Sequence, residues 1–171
     1  PDIICLQESH TSYDGEKRNS KEIADALGYQ YFINSPASPS HIDPKYQLST
    51  AIISRFPILE QNVVFFPDPE VDLYWKNGNK AITHKKNMQV IKIKNFYVAN
   101  NQMLPISLFG YTYDDTSFGG KLAVGINKAI EENIKTPLIW CGDFNYNTPL
   151  EIYPKMREIN LSEALPHEAT R

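Results

Sequence analysis

The sequence predicts a fold with β-sheets at its core and a few interspersed helices, α/β or α+β, and three observations carry that prediction. Short apolar or β-prone runs recur along the chain, at 2–7, 29–33, 48–54, 61–66, 80–93, 96–103 and 137–142. Helical signals are confined to 19–27, 121–133 and a start near residue 148. Between these segments stand clusters of turn residues, with 12 Pro and 8 Gly in all. Sheets must therefore supply the core, with helices laid against them. At 171 residues, one domain over 1–171 is expected. A composition 42% hydrophobic and 22% charged excludes a disordered tail or a disulfide-dense mini-protein. No apolar stretch reaches the roughly 18 residues that a membrane span needs.

The elements are taken in chain order. Residues 2–7 (DIICLQ) are a continuous apolar run, as suits a strand buried on both faces. Residues 9–19 are polar, contain Gly15 and read as a loop. Asn19 or Ser20 caps a helix that ends at Leu27, before Gly28. After the β-prone run 29–33, Pro36, Pro39 and Pro44 mark a long loop. Residues 48–54 form a buried strand ended by Pro57, and 61–66 another closed by Pro67 and Pro69. The alternation Val90-Ile91-Lys92-Ile93, the pair Lys94-Asn95 and the run 96–103 read as a hairpin. Leu122, Ile126, Ala129 and Ile130 give 121–133 one apolar side. Residues 137–142 (PLIWCG) are a second strand expected to be fully buried, and Thr148-Pro149 would open a helix.

The net charge is −3, but it is unevenly spread. From Leu73 to Tyr113 there is no acid, while Lys76, Lys80, Lys85, Lys86, Lys92 and Lys94 all fall there. Such a stretch either faces phosphates or forms the solvated side of strands. Cys5 and Cys141 each sit inside an apolar run and are expected as unpaired thiols. Counted along regular strands from Glu8 and Asp143, they should point to opposite faces. His10, His41, His84 and His167 show no paired ligand spacing. His10, two residues beyond Glu8, is a lesser candidate for the site. Residue 1 is Pro, and the first residues already read as a strand. The sequence is therefore expected to be a piece of something longer, without a visible targeting segment; cytoplasm is the default compartment.

Two apolar runs end in a carboxylate: Ile3-Ile4-Cys5-Leu6-Gln7-Glu8, and Leu138-Ile139-Trp140-Cys141-Gly142-Asp143. Strand ends are where open sheets place ligands. Carboxylates are seldom buried unless paired or metal-bound. Two such ends suggest one oxygen-rich site suited to a hard cation such as Mg²⁺. The alternative is two solvent-facing acids at loop starts.

These residues also carry a resemblance. Pro1 to Glu8 resembles the "PDII-LQE" strand of the endonuclease/exonuclease/phosphatase superfamily. Leu48 to Ile58 is similar to its "G-AILSR-PI" segment, and Gly142-Asp143-Phe144-Asn145 matches its "GDFN" box. The three stand in the family's order and span nearly the whole chain. The resemblance implies two packed β-sheets flanked by helices, a four-layer α/β/β/α sandwich, incomplete in this chain, and hydrolysis of phosphodiesters or phosphomonoesters. It makes Glu8 a ligand of Mg²⁺, with Mn²⁺ as an alternative. Asp143 would orient and deprotonate the attacking water, and Asn145 would hydrogen-bond the phosphate or that water. A carboxylate can take a proton, whereas an amide only donates or accepts hydrogen bonds.

The chain also departs from the pattern. The resemblance implies a first strand before Pro1 and a closing Asp- and His-bearing segment after Arg171, so residues 1–171 alone are expected to turn over poorly. Gln102 sits where many members carry the His of an "NTH-L" strand, and as an amide it can donate to a phosphate. Some members use a Tyr nearby, which makes Tyr111 and Tyr113 substrate-binding candidates; ordinary packing is their alternative. Nucleic acid is the expected partner, in an endonuclease, exonuclease or DNA-end-processing role. A lipid or inositol phosphate is the rival substrate, although no "PAWCDR" box is present. A non-catalytic binding domain is the rival of a different class.

Overall fold

A computed structural model of the chain describes residues 1–69, 71–81, 85–113, 118–145 and 154–162. The elements are β1 (Ile3–Ser12), α1 (Asn19–Leu27), β2 (Tyr31–Pro39), β3 (Tyr46–Ser54), β4 (Glu60–Phe65), β5 (Asn87–Ile93) and β6 (Phe96–Gln102). A short 3-10 helix (Ile106–Phe109), α2 (Phe118–Asn133), β7 (Leu138–Asp143) and α3 (Pro154–Glu158) come after them. Among the described residues the strands form two sheets, ordered β1-β3-β2 and β4-β5-β6-β7. Every pairing is antiparallel except β6 with β7, which α2 connects. No described helix is long and apolar enough to cross a membrane.

The alternation of side chains along each strand builds four layers. Ile53 faces α1, with Ala24 and Tyr29, while its neighbour Ile52 faces the other sheet and meets Ile91, Ile93 and Val98. On the far side, Met88, Val90 and Ala99 pack against Leu122, Ala123, Ile126 and Ile130 of α2. A helix thus covers the outer face of each sheet, and the sheets meet in the middle. Burying a large aliphatic in such a layer is worth roughly 1.5–3 kcal/mol.

The middle layer changes character along the strands. At one end it is the aliphatic cluster just named, which Ile3, Cys5, Ile33, Phe56, Ile58 and Phe96 extend. At the other end the same strands present buried amides and hydroxyls. Thr50 Oγ1 donates to Asn87 Oδ1 at 2.7 Å, and Asn87 Nδ2 donates to Ser35 Oγ at 3.0 Å. Asn100 Nδ2 donates to the carbonyls of Leu6 (2.9 Å) and Ala51 (3.0 Å), while its Oδ1 accepts from Gln7 Nε2 at 2.5 Å. Asn100 thereby latches β6 onto β1 and β3.

Several expectations are corrected. Among the described residues β1 and β7 are half-buried and pair on one side only; β3, β5 and β6 have neighbours on both sides and are mostly buried. The segment with Pro36 and Pro39 is β2, not a loop, and its edge position lets a residue without an N–H enter a sheet. The stretch from residue 9 to Ser12 continues β1. Ser20 does not cap α1; buried, it donates to Asn34 Oδ1 at 3.0 Å. Cys5 and Cys141 are free thiols, as expected, but both line one cleft between the sheets rather than opposite faces. The helix start at Thr148-Pro149 lies outside the described residues.

Candidate active site

Glu8 stands at a defect in β1. The register of β1 against β3 shifts between Leu6 and Ser9, and Glu8 has φ 53°. A β-bulge adds one residue and reverses the facing of the residues beyond it. Without it Glu8 would share the side of Leu6, toward α1; with it, Glu8 joins Gln7 on the middle layer. A non-glycine residue in the left-handed region costs on the order of 1 kcal/mol, and the pairing on both sides of the bulge holds it there. Glu8 Oε1 then accepts from Gln102 Nε2 at 2.8 Å.

Gln102 reaches this point because it ends β6 on the same face as Asn100 and Val98. The parallel register pairs it with Asp143 at the end of β7. Asp143 is held by one residue: Asn145 N donates to Oδ1 at 3.0 Å and Asn145 Nδ2 to Oδ2 at 3.0 Å. The same Nδ2 donates to the carbonyl of Met103 at 2.8 Å. Asn145 makes this turn at φ 50°, which asparagine tolerates better than most residues. Gly142 is required by close approach, since a Cβ there would lie 2.3 Å from Asn101 Oδ1. Asn101 Oδ1 also accepts from Trp140 Nε1 at 2.6 Å, so it cannot easily retreat.

Glu8, Gln102, Asp143 and Asn145 line one cavity of about 230 Å³. His41 and Lys86 complete its polar side, and Leu73, Trp75, Leu104, Pro105, Leu108 and Phe109 form an apolar wall. Trp75 and Phe109 are tilted against one another, with ring centroids 4.8 Å apart. Lys86 is buried, which pushes its pKa down from the usual lysine value; the negative charges of Glu8 and Asp143 oppose that shift.

The structure thus brings together the predicted Glu8, Gln102, Asp143 and Asn145, and leaves Tyr111 elsewhere. Tyr111 does not line the cavity; it packs against the α2 core and meets Phe118 edge-on at 5.0 Å. Tyr113 is buried and donates to the carbonyl of Leu104. His10 stacks on Tyr46 and pairs with Ser40 at 3.0 Å. His84 and His167 lie outside the described residues. The acid-free stretch is not one phosphate-facing surface. Lys80 pairs with Asp72, Lys85 with Asp68 and Lys92 with Glu60; Lys86 alone of the six lines the cavity. Sequence reasoning missed Lys86 as a site residue. Its one signal was a lysine directly before a strand that proves buried.

The description "Endonuclease/Exonuclease/phosphatase family" belongs to a family model that matches residues 1–164. The chain belongs to this family. Solved structures share the fold. A family protein from Beutenbergia cavernae is 15% identical with TM-score 0.64, over 95% of this chain and 46% of that one. A family protein from Leptotrichia buccalis is 14% identical with TM-score 0.59, over 92% and 61%. An AP endonuclease from Archaeoglobus fulgidus is 18% identical with TM-score 0.51, over 93% and 60%. The chain therefore spans between about half and three fifths of these structures' length. No curated protein matches it. The two sheets and their helices are the α/β sandwich of the endonuclease/exonuclease/phosphatase family, whose members are hydrolases acting on phosphoesters.

Proposed function

We propose that the protein hydrolyses phosphodiester bonds in nucleic acid, as an endonuclease, exonuclease or DNA-end-processing enzyme, with Mg²⁺ or Mn²⁺ bound at Glu8. The observation that carries this reading is the convergence of Glu8, Lys86, Gln102, Asp143 and Asn145 on one cavity.

Glu8 fits a hard divalent cation. Gln102 occupies Oε1, and among the described residues no group donates to Oε2. Among those residues no group of three His, Cys, Asp or Glu converges on one point. Mg²⁺ takes one or two carboxylates and completes its shell with water and phosphate oxygens, so Glu8 would serve as one such ligand. A bound cation would supply Lewis-acid stabilisation of the phosphoryl oxygens.

This chain's own residues do the rest. Asp143, with both oxygens fixed by Asn145, is oriented to accept the proton of an attacking water. Asn145 holds that carboxylate while staying neutral beside a dianionic transition state. Gln102 keeps Glu8 aimed into the cavity. Lys86 places a positive charge where negative charge develops, in a site whose burial strengthens the interaction. Trp75 and Phe109 supply a ring surface on which a nucleobase can stack, an interaction worth about 1–3 kcal/mol per base.

The test compares oligonucleotides, single- and double-stranded, with a phosphorylated lipid and an inositol phosphate, each with Mg²⁺ or with chelator. The expected result is Mg²⁺-dependent cleavage of oligonucleotide, slow for residues 1–171 alone, that Asp143→Asn abolishes. Preference for the lipid or inositol ester would overturn the substrate class. Turnover that survives Asp143→Asn would overturn the role of Asp143.

A further inference from the structure

A cleft between the two sheets holds the molecule's two thiols. It is lined by Ile3, Cys5 and Gln7 of β1 from one sheet and by Val98, Ile139, Cys141 and Gly142 of β6 and β7 from the other. We propose that Cys5 and Cys141 are a modification site, a thiol pair that peroxide converts to a reversible disulfide linking β1 to β7.

Geometry carries this. Cys5 lies on the middle-layer row Ile3-Cys5-Gln7, and Cys141 pairs in register with Asn100, which faces the same layer. Both side chains line that one cleft. Packed sheets ordinarily stand about 10 Å apart, yet residues of β1 and β7 approach within 8 Å between Cα atoms. A disulfide needs roughly 4.4–6.8 Å between Cα atoms, so closure draws β1 and β7 together. Neither thiol is fully buried, so a small oxidant can reach them.

The chemistry is asymmetric. Its neighbour Cys5 pushes the Cys141 thiol down to about 7, against the opposing effect of burial. The interaction with Cys141, then burial, pushes the Cys5 thiol up. Thiolate is the nucleophile in thiol oxidation. The Cys141 thiolate attacks one oxygen of hydrogen peroxide, the O–O bond breaks, and the departing hydroxide takes a proton to become water. Cys141 is then a sulfenic acid. The Cys5 sulfur attacks the Cys141 sulfur, the S–O bond breaks, and the hydroxide leaves as water with the Cys5 proton. Two thiols lose two electrons in total, and one peroxide becomes two waters.

Cys5 lies three residues before Glu8, and Cys141 two before Asp143. Drawing β1 toward β7 shifts both carboxylates, and a displacement of about 1 Å in a reacting geometry can cost a hundredfold in rate. The experiment treats the reduced protein, Cys5→Ser and Cys141→Ser with hydrogen peroxide and a sulfenic-acid trap, then reads intact mass and a non-reducing peptide map. The wild-type monomer is expected to lose two hydrogens, yield a cross-linked Cys5–Cys141 peptide and revert with dithiothreitol. Cys5→Ser should be trapped as the sulfenic acid of Cys141, and Cys141→Ser should stay reduced. Wild-type protein that keeps both thiols, or cross-links only between molecules, overturns the proposal. Trapping at Cys5 in Cys141→Ser overturns the assignment of the attacking sulfur. The mass readout needs no substrate, so it stands apart from the proposed activity; oligonucleotide turnover that does not fall about a hundredfold on oxidation overturns the effect on the site.

Discussion

The two ends of the layer between the sheets are built on the same strands and held by different physics. β5 gives Ile91 and Ile93 to one end and Asn87 and Gln89 to the other; β6 gives Phe96 and Val98, then Asn100 and Gln102. The aliphatic end gains stability from burial, which is non-directional and tolerant of small shifts. The amide end gains only about 0.5–1.5 kcal/mol net per hydrogen bond, but each bond has a direction. Glu8, Gln102 and Asp143 sit at the second end. The contrast teaches that aliphatic packing secures the sandwich while the costlier amide lattice aims the side chains that need aiming.

Substitutions can break or sharpen that contrast. Asp143→Asn should have the largest effect, lowering phosphodiester turnover about a thousandfold, or about 4 kcal/mol of barrier, with no change in melting temperature. A comparable loss of melting temperature would mean that Asp143 supports the fold and not only the chemistry. Ile91→Ala, at the aliphatic end, should cost about 3 kcal/mol of unfolding free energy in urea titration, and leave kcat of the folded protein nearly unchanged. Asn100→Leu should cost less, about 2 kcal/mol, because the Leu6 and Ala51 carbonyls lose their donor. It should still lower kcat about tenfold by unlatching β1. If kcat falls more in Ile91→Ala than in Asn100→Leu, the division of labour is wrong.

The smallest expected effect is a pH dependence. Burial lowers the Lys86 pKa below its ordinary 10.5. Between the lowered folded value and 10.5 the unfolded chain binds the proton and the folded chain does not. Unfolding therefore takes up a proton in that window, and stability rises with pH across it. Lys86→Met should flatten that rise in urea titrations at mildly alkaline pH; an unchanged slope would place Lys86 in contact with water.

Much of this architecture is readable from residues alone, and the failures have local causes. β3 and the β5–β6 hairpin are legible as apolar runs and a turn, and Lys94 accepts φ 53° where glycine is preferred. Glu8, Asp143 and Asn145 are found because each ends an apolar run or belongs to a short motif. The facing of the two cysteines is misread because strand parity assumes regular pairing, and the bulge at Glu8 has no signature in composition. An apolar run does not say how deeply a strand is covered, so β1 and β7, half-buried among the described residues, look fully buried. Lysines in a charged stretch look alike in sequence, and only packing separates buried Lys86 from Lys80, Lys85 and Lys92, which pair with acids at the surface. Nearness in sequence draws Tyr111 to the site, and the apolar side of α2 claims it instead.

The hydrogen bond between Gln102 and Glu8 spans 94 residues, and the parallel partner of Gln102 arrives only after α2 has crossed the sheet. Ends that far apart meet at a loop-closure cost that local turns do not bear. A chain leaving the ribosome can close the β5–β6 hairpin as soon as both strands are out, but Asp143 has then not yet emerged. Glu8 and Asp143 therefore come together near the end of folding, and contacts so distant in sequence are the slow ones to form. A nascent chain carries no half-assembled site: the cavity forms only with the final closure of the two sheets.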